Sequence, residues 1–519
     1  MRLTSRRSAA SLLILSLLLA GAPQTLAQPQ QTATPVDQGA SKAQVRPWLY
    51  ENSDVPIDAA WRFGTLSNGL RYAVRRNGVP PGQVSIRLRM DVGSLMERAD
   101  EQGYAHYMEH LTMRGSRHVP DGESKRIWQR LGVTFGSDSN AQTTPTGTTY
   151  ALDLPQATQA SLTESMKILA GMMAEPNINA GSVDAERAVV LAEKRESDGP
   201  QSRISDANRL HFFAGQPLAE HAPIGTVDTL KAATAAKMEA FHQRWYRPEN
   251  TVIAISGDID PAIAEQLIKD NFGNWTAPGK GAAIPDFGAP DPKAPATRVF
   301  VEPGVPVSLT MAWLRPWTPH ADTIVYNQDK LTDMLALQIV SRRLEQAART
   351  GGSFLQASVE QQDVSRSADG TFLSIIPSND DWQKALHDVR AIVEDAKAAP
   401  PSQAEIDREY AQMDTALAIQ VENASTEAGA KQATDLVSAV DIRETTVSPQ
   451  AAVEIFRAGK PAMTPQKILV STRRLFSAGV FRAMLVTSKV EPGLDQRLAA
   501  AVAAPVKAAT NARLSDKPV

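Results

Sequence analysis

Short β-type patterns and helical patterns alternate along the first part of the chain. Residues 63–66 and 70–74 flank a Ser-Asn-Gly turn at 67–69, which is typical of a β-hairpin. Residues 83–92 alternate between apolar and polar side chains and predict a strand. A glycine and a serine end that strand, and residues 103–115 then predict a helix.

The remaining chain continues this mixture. Helices are predicted at residues 125–131, 162–173, 183–195, 204–213, 230–245, 261–272, 328–349, 383–396 and 403–421, and strands within 137–153, at 251–256 and 305–313, within 354–376 and at 481–487. Asp260 precedes Pro261 and is the expected N-cap of the helix at 261–272.

Changes in composition predict the domain boundaries. Residues 28–55 indicate a flexible leader, and proline, glycine and alanine at 279–295 indicate a linker. The first domain then spans 56–278 and the second 296–495, and alanine-rich residues 496–519 predict a linker-like tail. No sequence repeat is strong enough to prove that the two domains are copies of one unit.

The first 27 residues have the parts of a secretory signal peptide. Arg2, Arg6 and Arg7 form a basic start, residues 11–21 an apolar core, and small residues near 25–27 a cleavage site. Two alternatives stay open, a twin-arginine signal and an uncleaved anchor. No later run approaches the roughly 18 apolar residues that span a bilayer.

Composition excludes several classes of protein. The chain has 519 residues, which predicts more than one domain, and a net charge of −3, which argues against a nucleic-acid binder. It contains no cysteine, so disulfides, thiol chemistry and a lipid-bearing cysteine are excluded.

The predicted helix at 103–115 carries the pattern His106-Tyr107-Met108-Glu109-His110. Residues four apart share a helix face, so His106 and His110 can direct their imidazoles at one point, with Glu109 nearby. Two imidazoles and a third ligand make a catalytic zinc site with a position open for water, and a carboxylate beside it can take a proton. A lone helical histidine is usually structural, but this pattern is unexpected among only 8 histidines.

A third ligand must come from another element. Glu186 and Glu193 lie seven residues apart on the helix predicted at 183–195, so two turns place them on one face. One can bind the metal while the other supports a ligand. The alternative is that both are solvated surface carboxylates, the usual position of a glutamate.

Together these residues resemble the pitrilysin/insulinase family of zinc metallopeptidases, whose inverted motif is H-x-x-E-H. The resemblance rests on Gly93-Ser94-Leu95, Glu97, Gly103, the stretch AHYMEHLTMRGS at 105–116, Asn140-Ala141, Tyr150, Glu186, Glu193, Pro223-Ile224-Gly225, Tyr246, Pro248 and Asn250. The stretch VPPGQVSIRLRMDVGSL at 79–95 is most similar to the bacterial periplasmic branch of zinc proteases.

The resemblance implies an α+β fold of two related domains, each a mostly antiparallel sheet covered by helices. It implies one Zn²⁺ per site, held by His106, His110 and Glu193, with Glu109 as general base and Glu186 supporting a ligand. The interval from His110 to Glu193 is longer than usual in the family, so Glu186 stays open as the third ligand.

The family's substrate is a peptide held as an extended strand, which the resemblance places beside Asn140 and Ala141. The chain is similar to an N-terminal catalytic half, which implies a homodimer or a separately encoded second half as partner. Family members also use an arginine and a tyrosine from the opposite half. The similar stretch here runs from Arg342 to Phe354, and a phenyl ring cannot donate a hydrogen bond.

These features predict an exported periplasmic zinc endopeptidase, with no nucleic-acid partner and no membrane span after signal cleavage. The alternative is a noncatalytic half that serves as a binding or assembly subunit, which Phe354 favours and the intact H-x-x-E-H pattern opposes. A zinc-storage protein is a weaker reading, because storage does not need Glu109.

Overall fold

The computed structural model describes residues 47–510. The predicted signal peptide, most of the predicted leader and the last residues of the predicted tail lie outside the described residues. Within the described part, no helix combines the length and apolar character needed to cross a bilayer.

From residue 47 onward, the first part of the chain forms a six-stranded sheet and nine α-helices. The strands are β1 (Arg62–Thr65), β2 (Arg71–Arg76), β3 (Val84–Met90), β4 (Ser139–Thr143), β5 (Thr148–Leu154) and β6 (Thr251–Gly257). The helices are α1 (Tyr104–Arg114), α2 (Glu123–Arg130), α3 (Gln159–Ala174), α4 (Ala180–Glu196), α5 (Pro200–Phe212), α6 (Pro217–Glu220), α7 (Val227–Ala232), α8 (Ala235–Trp245) and α9 (Pro261–Phe272).

The second part, as far as residue 510, forms a five-stranded sheet and seven α-helices. The strands are β7 (Thr297–Val301), β8 (Ser308–Pro316), β9 (Phe354–Val364), β10 (Ala368–Pro377) and β11 (Val480–Thr487). The helices are α10 (Ile324–Arg349), α11 (Trp382–Ala398), α12 (Gln403–Asn423), α13 (Gly429–Ile442), α14 (Pro449–Gly459), α15 (Pro465–Ser477) and α16 (Leu494–Ala503). We call the first sheet with α1–α9 the first lobe, and the second sheet with α10–α12 and α14–α16 the second lobe.

The two sheets have corresponding strand orders. The first runs β1-β2-β6-β3-β5-β4, and the second runs β7-β11-β8-β10-β9. In the first sheet β6 is parallel to β2, and in the second sheet β11 is parallel to β7. All other neighbouring strands in the two sheets are antiparallel. The expected α+β class with two related, mostly antiparallel sheets is therefore confirmed, and the edge strands β4 and β9 occupy equivalent positions.

Apolar side chains on one face of the first sheet pack against the helices of its lobe. Ile86, Leu88 and Met90 of β3 belong to this core and are at most 1% exposed. The intervening polar residues are buried too, because α13 covers the opposite face with Leu436 and Val437. Helix α13 therefore lies in the second part of the sequence but packs on the first sheet.

The structure corrects three predictions of local structure and adds helices that the sequence analysis did not predict. Residues 230–245 form two helices, since Thr234 accepts a hydrogen bond from the Lys237 amide and caps the second one. Residues 496–503 were predicted to belong to a linker-like tail, but they form part of helix α16, in which Leu498 is buried. The end of the predicted leader is ordered, because Trp48 is 4% exposed and packs on the first sheet. Helices α13, α14 and α15 were not predicted.

Candidate metal centre

Helix α1, which carries the H-x-x-E-H pattern, is anchored at its first turn. The Glu97 carboxylate accepts backbone hydrogen bonds from Gly103 at 2.9 Å and Ala105 at 2.8 Å. These bonds satisfy amide groups that have no partner within the helix. A Cβ on Gly103, whose φ is 91°, would lie 2.9 Å from the Cα of Gly225, so this turn also requires glycine for close packing.

Helix α4 lies beside α1 and supplies the two glutamates. Asn179 caps α4 by accepting a hydrogen bond from the Ser182 amide at 3.0 Å. The Tyr107 hydroxyl of α1 donates to the carbonyl of Val183, which ties the two helices together. Two separate helices thus bring histidines and carboxylates to one place.

His106, His110 and Glu193 form the group on which a metal could bind, with one ligand atom from each residue within 4.8 Å of the others. Glu193 Oε1 lies 3.6 Å from His106 Nε2, and Glu193 Oε2 lies 3.3 Å from His110 Nε2. Tetrahedral zinc with bonds of about 2.1 Å places its ligand atoms roughly 3.3–3.5 Å apart. Both histidine–glutamate distances are close to this value, and two imidazoles with a carboxylate are a donor set that zinc binds.

The environment of the two histidines differs. Burial, together with the nearby His110, lowers the pKa of His106 to about 4, so its imidazole is neutral and able to bind a metal. Burial also opposes a charge on His110, but hydrogen bonds with Glu186 and Glu193 raise the pKa of His110 to about 9. A bound metal would displace that proton.

Glu186 contacts the far side of His110. Its Oε2 lies 3.3 Å from His110 Nδ1, and its Oε1 accepts a hydrogen bond of 2.7 Å from Arg114. In this position Glu186 orients the imidazole through the nitrogen that faces away from Glu193. Sequence reasoning missed Arg114, although its position four residues after His110 could have signalled it.

Glu109 is 8% exposed and lies beside the metal group without belonging to it. The Thr143 hydroxyl donates a 2.6 Å hydrogen bond to Glu109 Oε2. Burial raises the pKa of the Glu109 carboxyl to about 6, while the Thr143 hydrogen bond opposes this rise. A carboxyl group with this pKa can both accept and return a proton near neutral pH. Thr143 was also missed, because no sequence signal joins β4 to α1.

Asn140 and Ala141 lie on β4, which pairs with β5 and is an edge strand of the first sheet, with a single bridge from its first residue, Ser139, to Phe135. The Ala141 amide donates to the Asn140 side chain at 2.9 Å, so this amide points away from β5. The outer side of β4 thus carries backbone groups that an added strand could bond, and the Ala141 amide would exchange its bond with Asn140 for one with that strand.

Arg342, Arg343 and Phe354 have structural roles in this chain. Arg343 is 1% exposed and pairs with Glu405 at 2.8 Å and Asp395 at 3.2 Å. Arg342 pairs with Glu409, and Phe354 is buried in the core of the second lobe. These side chains are therefore occupied within their own lobe.

Two models of peptidase family M16 match successive parts of the chain. "Insulinase (Peptidase family M16)" matches residues 73–221, and "Peptidase M16 inactive domain" matches residues 232–413. The "Probable zinc protease PqqL" of Escherichia coli K12 is 34% identical over 223 residues, which cover 43% of this chain and 24% of that protein.

Solved structures share the fold. The crystal structure of the periplasmic protease PqqL from Escherichia coli has a TM-score of 0.79 at 23% identity, covering 87% of this chain and 51% of that one. The first half of the same protease, solved separately, has a TM-score of 0.78 and is covered over 99% of its length. The chain thus spans about half of that relative's structure.

Fold and site together define a two-lobed α+β protein with a candidate metal centre on its first lobe. With successive family matches and the shared fold, the chain belongs to the insulinase family, peptidase family M16.

Proposed function

We propose that this chain is the zinc-binding half of a metalloendopeptidase that hydrolyses peptides or small unfolded proteins held as an extended strand. The observation that carries this proposal is the group of His106, His110 and Glu193 beside a buried Glu109. When bound, zinc would act as a Lewis acid and lower the pKa of the water that it binds to about 7. Relatives named zinc proteases support the same metal.

In the proposed reaction the residues of this chain hold and move protons. Glu109 takes a proton from the attacking water, whose oxygen bonds to the scissile carbonyl carbon. Glu109 then gives this proton to the leaving nitrogen as the C–N bond breaks. His106, His110 and Glu193 hold the metal, and Glu186 holds the imidazole of His110.

Substrate binding along β4 is part of the proposal. The edge strand offers backbone groups, so an extended peptide can pair with it as an additional strand beside Asn140 and Ala141. Such pairing recognises backbone conformation more than side chains, which suits unfolded segments of varied sequence.

We further propose that the chain works in the periplasm and pairs with a second half, either a copy of itself or a separately encoded chain. One structure with the same fold is that of a periplasmic protease, and the first half of that protease, solved separately, matches this chain over 99% of its own length. The second candidate function is a noncatalytic binding subunit. It is favoured by the burial of Arg343 and Phe354, because neither side chain is then placed to donate a hydrogen bond to a substrate carbonyl.

Metal analysis and a quenched-peptide assay test the proposal. We expect about one zinc per chain, cleavage that stops with a chelator and returns with zinc, and no cleavage by Glu109→Gln, which keeps zinc but has no basic carboxylate. Absence of zinc after gentle purification contradicts the proposed site. Zinc binding without cleavage, even when a second half is supplied, favours the binding subunit.

A further inference from the structure

The turn between β4 and β5 is held by residues from three separate parts of the chain. Asp441, at the end of α13, accepts a 2.7 Å hydrogen bond from the Thr146 hydroxyl. Arg366, from the turn between β9 and β10, donates to the Thr146 carbonyl at 3.1 Å. Arg89 of β3 donates to the same carbonyl at 3.3 Å and to Asp441 at 2.6 Å. Thr146 is therefore fixed through both its side chain and its backbone.

We call Arg89, Asp91, Arg366, Asp441 and Arg443 the turn clamp. Its inner members Arg89, Asp91 and Arg366 are at most 6% exposed, and Arg443 donates to Asp91 at 2.8 Å. Burial alone would raise the pKa of Asp91, but the three guanidinium groups hold that pKa well below its usual range. Buried charges are costly to separate from their partners, so this arrangement resists displacement.

Backbone conformation around the clamp is also unusual. Among the described residues, the non-glycine residues with positive φ are Ser365 at 52°, Arg366 at 55° and Arg443 at 63°. Residues other than glycine rarely adopt positive φ unless the surrounding structure imposes this backbone conformation. Two of the three residues place their guanidinium groups in the turn clamp.

The backbone of the turn is also closely packed. A Cβ on Gly93 would lie 2.1 Å from the Thr144 carbonyl oxygen, and a Cβ on Gly147 would lie 2.4 Å from the Arg89 guanidinium. The Thr144 amide also donates to the Gly147 carbonyl at 2.8 Å. The next residue back along the chain is Thr143, whose hydroxyl holds Glu109.

We propose that the second part of the chain positions the proposed general base through this turn. Asp441 and Arg366 fix Thr146, the packed turn fixes Thr143, and Thr143 fixes the Glu109 carboxylate. Asp441 is thus a positioning residue, and this role rests on the proposed function of Glu109. It gives the part of the chain without metal ligands an indirect role in the proposed chemistry, through the position of Glu109.

Activity measurements separate positioning from binding. In the zinc-loaded full chain, Thr143→Val is expected to lower kcat about 10- to 100-fold, since a misplaced base costs rate. Thr143→Ser, which keeps the hydroxyl, is expected to restore most of kcat. Asp441→Asn and Thr146→Val are each expected to lower kcat about tenfold, with KM within about twofold and zinc content unchanged.

A double variant tests whether Asp441 acts through Thr143. If Asp441 acts through Thr143, kcat of the double variant Asp441→Asn/Thr143→Val is within about twofold of kcat of Thr143→Val alone, because the effects of coupled residues are not additive. The control is Glu302→Gln, which removes the charge from another ion pair between the lobes, the exposed Arg203 with the buried Glu302 at 2.7 Å, away from the turn. We expect this control to keep kcat. Unchanged kcat in Asp441→Asn and Thr146→Val, or full additivity with Thr143→Val, overturns the proposal.

Hydrogen exchange distinguishes failure of this inference from failure of the proposed function. Asp441→Asn and Thr146→Val are expected to speed amide exchange in residues 139–154, while Glu302→Gln does not. If the wild-type chain with zinc cleaves no peptide even when a second half is supplied, the proposed function fails, and the clamp stands only if this exchange pattern is seen. Equal exchange in all three variants overturns the clamp whatever the activity.

Discussion

Oε2 of Glu193 lies 3.3 Å from Nε2 of His110, although the two residues belong to different helices. Glu186, two turns earlier on the same helix as Glu193, contacts the other ring nitrogen of His110 and also Arg114. The two glutamates therefore face opposite sides of one imidazole, and only Glu193 also lies close to His106.

This geometry predicts different effects of the two glutamates on zinc binding. Glu193→Gln removes the charge of the proposed third ligand, so we expect nearly complete loss of zinc. Glu186→Gln removes only support for the His110 ring, so zinc affinity is expected to fall about 10- to 100-fold. Competition with a chromophoric chelator measures both affinities. Retention of zinc by Glu193→Gln with loss in Glu186→Gln would reverse the assignment.

Strand addition at β4 predicts a periodic response to substrate methylation. A methyl group on a substrate amide blocks its hydrogen bond, and only alternate amides of a strand face its neighbour. In a series of peptides methylated at successive positions on one side of the scissile bond, we expect KM to rise at every second position. Steady-state kinetics gives these values, and a uniform or irregular response contradicts pairing with β4.

The buried positions of Arg343 and Phe354 predict that the chain alone is a poor enzyme. Losing one donor to the developing oxyanion typically costs 10²- to 10³-fold in rate, or about 2.7–4 kcal/mol. We expect specific activity to rise with protein concentration if copies pair, or with addition of a second half that carries free donors. Light scattering with activity across a concentration series checks this. A strict monomer with full activity at every concentration opposes it.

His211 predicts pH-dependent stability at the junction of the lobes. Its Nε2 donates to the Ala483 carbonyl at 3.0 Å, and burial, with the nearby Arg482, lowers the pKa of His211 to about 4. The unfolded chain, with a histidine pKa near 6.5, binds more protons below that pH, so the free energy of unfolding falls as pH drops from about 6.5 to 4.

The matched variant is His211→Gln, which keeps a side-chain donor but does not titrate in this range. Urea unfolding at several pH values is expected to show a smaller loss of stability on acidification than in the wild type, because one titrating group is gone. An equal or larger loss in the variant would assign the acid sensitivity to other groups. His242, also buried with a lowered pKa, accounts for part of the remaining slope.

The sequence by itself determined the local elements around the site. The spacing of His106, Glu109 and His110 fits one helix, and the structure has them on α1. The Ser-Asn-Gly turn predicted the β1–β2 hairpin, and alternation predicted β3. Local periodicity is sufficient for such features because side-chain direction follows directly from backbone geometry.

Tertiary structure decided which surfaces meet. Seven-residue spacing left Glu186 and Glu193 equivalent, and only the packing of α4 beside α1 separates their contacts. The polar residues of β3 gave no sign that Arg87 and Arg89 would be buried under α13, a helix distant in sequence. Thr143 reaches Glu109 for the same reason: such contacts depend on long-range packing and charge pairing, which no local pattern encodes.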